Sequence, residues 1–244
     1  MFKNVLASIG IGGMKVDTLV DQPQVEAGGV LNGIVTIKGG DVPQRIDAIA
    51  LELVTRCIVE ARNDQKVYAE IQVAVAHAAA DIEVAPGESL DLPFQMDVPV
   101  HAPLSLGQTK TTLRTRLDVP KAVDPRDSDA VRVMPNAAMR SVFKGMEHAG
   151  FRLAEVEVEH SPRARVPFIQ EFDFKPVSLG DWRVEEVEIA FRPTGTDALD
   201  VLVTVDRRGG LFSFGGEQGY RFSVPAGGVN PQDVAAAVRQ AIGR

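Results

Sequence analysis

The sequence predicts a mainly β protein of two tandem antiparallel β-sandwich domains, with short helices at the N-terminus, the domain junction and the C-terminus. Three observations carry this. Apolar residues recur at every second position through most of the chain, the pattern of strands with one buried face. Glycine and proline pairs fall between those runs, where tight turns need a positive or a fixed φ. The length of 244 residues exceeds one typical domain and suits two of about 100–120 residues each. The division falls at residues 1–120 and 121–244.

Taken in order, Phe2, Val5, Leu6 and Ile9 stand at i, i+3, i+4 and i+7, one face of a short helix ended by Gly10, Gly12 and Gly13. Strands follow over Lys15 to Val20 and through Leu31, Gly33, Val35 and Ile37, closed by Gly39 and Gly40. A longer run keeps Ile49, Leu51, Leu53, Thr55, Cys57 and Val59 on one face. Ile71, Val73 and Val75 alternate with polar neighbours, as do Leu90, Leu92, Phe94, Met96 and Val98, and then Leu113, Thr115, Leu117 and Val119. Strands this closely spaced, with no helices between them, argue against βαβ units. Lys121 to Asp129 is charged, contains Pro125 and reads as an interdomain linker. A short strand over Ala130 to Met134 follows. Pro135 and Asn136 open a junction helix with Met139, Val142, Phe143 and Met146 at helical spacing, and Gly150 stops it. Strands resume at Phe151 to Glu159, Phe168 to Phe174, Val184 to Phe191, Leu199 to Val205 and Tyr220 to Val224, with a β-bulge expected at Glu185-Glu186. The last helix has Asn230 as cap, Pro231 at its first position, Asp233 in its first turn and an apolar stripe of Val234, Ala237, Val238, Ala241 and Ile242. That stripe is expected to dock on the second sandwich.

Composition narrows the partners. With 26 basic and 33 acidic residues the net charge is -7, which disfavours phosphate backbones and anionic lipid. Nucleic acid is not expected as a partner, and a membrane surface is a poor one. One cysteine excludes a disulfide within the chain and fits a reducing compartment, so a cytoplasmic location is expected. The N-terminus, interrupted by Asn4 and Ser8, lacks the continuous apolar stretch of a signal peptide. No apolar run approaches the roughly 20 residues that span a bilayer.

The search for chemistry yields no catalytic residues, no cofactor-binding residues and no metal ligands. His77, His101, His148 and His160 are scattered, without a second ligand-type residue at metal-binding spacing. Gly209-Gly210 and Gly215-Gly216 bracket an apolar stretch but lack the lysine and hydroxyl residue of a phosphate-binding loop, and read as a hairpin tip. Glu155, Glu157 and Glu159 line one face of a strand. They could attract a cation or a basic peptide, or form a solvated outer face opposite Val156 and Val158. Cys57 is read as an inert core thiol, His148 as a favourable charge at a helix C-terminus, and the junction-helix stripe as packing within the protein.

In their order, several segments resemble the bacterial sporulation-control family with an arrestin-like fold. They are Lys15-Val16-Asp17-Thr18, Gly33 through Gly40, and the strand Ile46-x-x-Ile49-x-Leu51-x-Leu53. Gly150-Phe151-Arg152-Leu153 leading to Glu155-Val156-Glu157, Ile169-Gln170-Glu171-Phe172-Asp173-Phe174-x-Pro176 and Val205-Asp206-Arg207-Arg208 continue the likeness. Ala27 stands where a Pro-Gly turn would place proline. The resemblance implies two arrestin-like sandwiches and a non-enzymatic regulatory or adaptor role in developmental or cell-cycle control. It supplies no catalytic residues. Function is then expected through contacts with other proteins, for which exposed edge strands are one means. A carbohydrate or small-ligand binding sandwich is the alternative. The apolar face of the N-terminal helix needs a surface to cover it, either the protein's own first sandwich or the same helix of a second subunit, and a weak homodimer through that segment is expected.

Overall fold

The structure is a computed structural model and describes residues 13–62, 65–120, 124–161, 166–178, 184–195, 198–207 and 218–243. The N-terminal helix expected at Phe2 to Ile9, and the glycine-bracketed stretch from Gly209 to Gly216, lie outside them. The fold is mainly β, with thirteen strands and two helices among the described residues. The chain forms two compact units. The first comprises residues 1–55, 70–99 and 110–133; the second comprises 56–69, 100–109 and 134–244.

In the first unit, strands β1 (Lys15–Val20), β3 (Val30–Lys38) and β6 (Ser89–Asp97) make one antiparallel sheet in the order β1-β3-β6. A second sheet runs from the first part of β4 (Gln44–Arg62) through β7 (Thr111–Asp118) and β8 (Arg126–Met134) to the short β2 (Gln24–Glu26). The long β5 (Gln65–Val84) pairs with β4. Alternation does its work here. Leu31, Val35 and Ile37 of β3 and Leu113 and Leu117 of β7 are buried between exposed or half-buried neighbours, whereas β4 buries Ala50 and Val54 as well as Ile49, Leu51 and Leu53. The two sheets are tied where the buried Thr18 and Thr115 hydroxyls meet at 2.7 Å.

The stretch read as a linker is partly a strand. Strand β8 begins at Arg126, and Arg126, Asp127, Ser128 and Asp129 pair with Arg116, Thr115, Arg114 and Leu113 of β7. Charge density misleads at this point because Asp127 is used within the fold, its Oδ2 accepting the Thr18 backbone N–H at 2.7 Å. The compact units therefore do not divide at residue 120, since β8 belongs to the first.

In the second unit, β9 (Phe151–His160), β10 (Phe168–Pro176), β11 (Val184–Pro193), β12 (Ala198–Arg207) and β13 (Gln218–Pro225) form an antiparallel meander. The far end of β4 joins it in parallel, Ile58 opposite Glu159. The register shifts between Val184 and Glu186, where the bulge was expected. Helix α1 (Ala137–Ala149) starts on Asn136, whose side chain accepts the Met139 N–H at 3.1 Å, and stops at Gly150 with φ 96°. Its Phe143 packs edge-on against Phe172 and Phe191, with ring centroids 5.1 and 5.6 Å away.

Helix α2 (Pro231–Ala241) carries the expected cap, Asn230 accepting the Gln232 N–H at 3.0 Å. Its stripe residues Val234, Val238, Ala241 and Ile242 are buried. It packs closely on α1, which the sequence reading had not assigned as its surface. A methyl group placed on Gly145 of α1 would lie 2.5 Å from Val234, so glycine is what permits the close crossing.

Candidate functional site

The two faces of the β9–β11 sheet differ in kind. On one, Phe168, Phe172, Phe174, Val187 and Ile189 are buried. On the other, cross-strand register assembles carboxylates. Glu157 lies opposite Glu171 and Glu155 opposite Asp173, which in turn lies opposite Glu188. With Glu159 and Glu186, which repel Glu171 and Asp173 respectively, seven carboxylates share the face. Lys66 and Lys175 lie against them. Lys66 binds Glu157 and reaches Glu155 at 3.4 Å, and Lys175 reaches Glu186 at 3.4 Å.

The imbalance shows in proton affinity. Burial first, then Glu188, Glu159, Asp173 and Glu157, push Glu171 up to about 7. Burial, then Glu186, Glu188, Glu155 and Glu157, push Asp173 up to about 6. Like charges in adjacent strands repel at a separation of roughly 5 Å. Part of this face is therefore protonated near neutral pH, and a cation placed on it would be bound with release of protons. No group of three histidine, cysteine, aspartate or glutamate side chains converges for a metal ion among the described residues.

The sequence singled out three of these residues, Glu155, Glu157 and Glu159, on one strand. It missed the contribution of β10 and β11, because pairing register is a tertiary property. The alternation of Glu171 and Asp173 with Phe172 and Phe174 was the available signal. The other candidates stand apart. Cys57 is fully buried, and burial raises its thiol to about 11, so it is a core residue. His148 lies in the last turn of α1, where its carbonyl accepts a bond from Arg239 at 2.5 Å. Of the junction-helix stripe, Met139, Val142 and Met146 are buried, and Phe143 packs on the sheet. No described helix is long and apolar enough to cross a membrane.

Comparison with known proteins agrees with this architecture. The family model described as SpoOM protein matches residues 2–209. The sporulation-control protein Spo0M of Bacillus subtilis (strain 168) is 34% identical over 212 residues, which cover 85% of this chain and 81% of the relative. The crystal structure of Spo0M, sporulation control protein, from Bacillus subtilis superposes with a TM-score of 0.83 at 28% identity, covering 95% of this chain and 98% of that one. The chain belongs to the Spo0M family.

Proposed function

We propose that this protein is a non-enzymatic regulator of sporulation or a related developmental decision, acting through contacts with other proteins. The regulatory part rests on its sporulation-control relative. The mode of action rests on one observation, the under-neutralised carboxylate face of β9–β11. A basic segment of a partner protein, laid across Glu171 and Asp173, would supply counter-charges and relieve the repulsion that their neighbours exert on them. The tandem arrestin-like arrangement and a cytoplasmic location belong to this same reading.

The test uses a lysine-rich peptide as probe. Peptide binding to the full chain should weaken at least tenfold when Glu171 is changed to Gln and Asp173 to Asn, and should fall steeply with salt. Unchanged affinity in the double variant would remove this face from the function.

A further inference from the structure

Strands β10 and β11 part company at one end. Their paired register covers only Glu171–Phe174 against Val187–Ala190. Yet β10 continues back to Phe168 in register with β9, and β11 continues to Pro193 in register with β12. The sheet is thus split between Phe168–Gln170 and Phe191–Pro193, and a cavity of about 470 Å³ lies there, wholly within the second unit. That volume is in the range of small-molecule sites.

Its walls are apolar. They include Phe168, Phe172 and Phe191 from the strands, Met139 from α1, and Leu104 from the loop of residues 100–109. The loop is held in this wall by a side chain rather than by packing alone. The Gln170 amide accepts from the Leu104 N–H at 2.6 Å and donates to the Leu104 carbonyl at 2.9 Å. His101 on the same loop sits by the Phe168 ring, centroids 5.9 Å apart. Burial lowers its proton affinity, so the imidazole adds no charge near neutral pH.

Among the described residues, one ionic group lines the cavity. Arg192 is exposed and makes no ion pair among the described residues. The acidic residue opposite it in the sheet, Asp200, is engaged by Arg221 and Ser223. A guanidinium with no ion pair among the described residues, beside an aromatic-lined cavity, matches a ligand with an apolar body and a single carboxylate. We propose that this split in the sheet binds a small amphipathic carboxylate, its body among Phe168, Phe172, Phe191 and Met139 and its charge at Arg192. The site uses none of the carboxylates proposed above to receive a protein partner.

The experiment employs two matched fluorescent probes on the full chain: 1-anilinonaphthalene-8-sulfonate, an aromatic anion, and N-phenyl-1-naphthylamine, the same body without the charge. Both should bind saturably at one site. Changing Arg192 to Gln should weaken the sulfonate about tenfold, the scale of one charge-assisted hydrogen bond, and leave the neutral amine within about twofold. Decanoate should displace the sulfonate from the wild-type chain, whereas decylammonium should not. Equal affinity of the sulfonate for Arg192→Gln and wild type would overturn the proposal. So would equal displacement by the two ten-carbon competitors, which requires no variant to fold, or the absence of saturable binding.

Discussion

In the first unit Asp129 has one carboxyl oxygen sealed from water without a hydrogen-bond partner; in the second, Glu171 and Asp173 are half-buried among the carboxylates of a sheet face. Both places raise proton affinity. Burial, then Asp127 and Asp17, push Asp129 up to about 7, close to the value for Glu171. The consequences differ. The sealed oxygen of Asp129 has no hydrogen-bond partner to offset its charge, which weighs on folding. The charge on the sheet face can be answered from outside by a ligand. Near-equal proton affinities thus mark a folding liability in the first unit and, under the proposed function, a surface for a basic partner in the second.

The comparison can be broken at several points. The largest effect is expected from Gly145→Val. Even a methyl group at Gly145 meets Val234 at 2.5 Å, and the larger side chain would force α1 and α2 apart at a cost of about 3 kcal/mol. Thermal unfolding should show a lowered transition, and hydrogen exchange should place the new exchange in the second unit. Exchange spread evenly over both units would mean that they do not unfold as separate bodies.

Next comes Asp129→Asn. A carboxylate whose folded pKa lies above its unfolded value loses stability as pH rises between the two, here from about 4 to about 7. The substitution removes that loss. It should stabilise the protein by about 1–2 kcal/mol at pH 8 and by very little at pH 4. Urea unfolding at the two pH values measures it, and an equal effect at both would show that Asp129 is not the group being sealed.

Glu171→Gln should act more weakly on folding, by less than about 1 kcal/mol at pH 8, with the same sign because its folded pKa is raised too. Its distinguishing effect is on linkage. Calorimetry of lysine-rich peptide binding at pH 7 in buffers of different ionisation enthalpy should show proton release that this variant reduces. The smallest expected signal is chemical. A thiol reagent should label Cys57 slowly in the native protein and at once in urea, because the side chain is fully buried and its thiol is held near 11.

Alternation in the sequence was enough to place β1, β3, β6 and β7, because each has one wet and one dry face. The caps at Asn136, Gly150 and Asn230 were readable for a similar reason, since their chemistry is local. The run His77 to Val84 was not read as a strand. It is rich in alanine and interrupted by Asp81, which takes a positive φ of 56°, and it is strand only because β4 pairs with it. Likewise Arg126 to Asp129 looked like solvent-exposed linker until β7 supplied a partner. At the site, Glu155, Glu157 and Glu159 were visible as one strand's outer face. Their assembly with Glu171, Asp173 and Glu188 depends on register, and the opening at Phe168–Gln170 depends on where that register ends.

The chain passes between the two units after residues 55, 69, 99, 109 and 133, and that braiding bears on how the protein is made. On the ribosome, no contiguous early fragment contains one unit alone. By the time β8 emerges to complete the first unit, residues 56–69 and 100–109 have already been synthesised, and they must wait for β9 and β10. Until then their apolar residues, Cys57 and Leu104 among them, have no finished core to enter. A nascent chain stalled between residues 134 and 150 is the stage most exposed to aggregation or chaperone capture. For the same reason, neither unit can be produced by truncating the gene at one end.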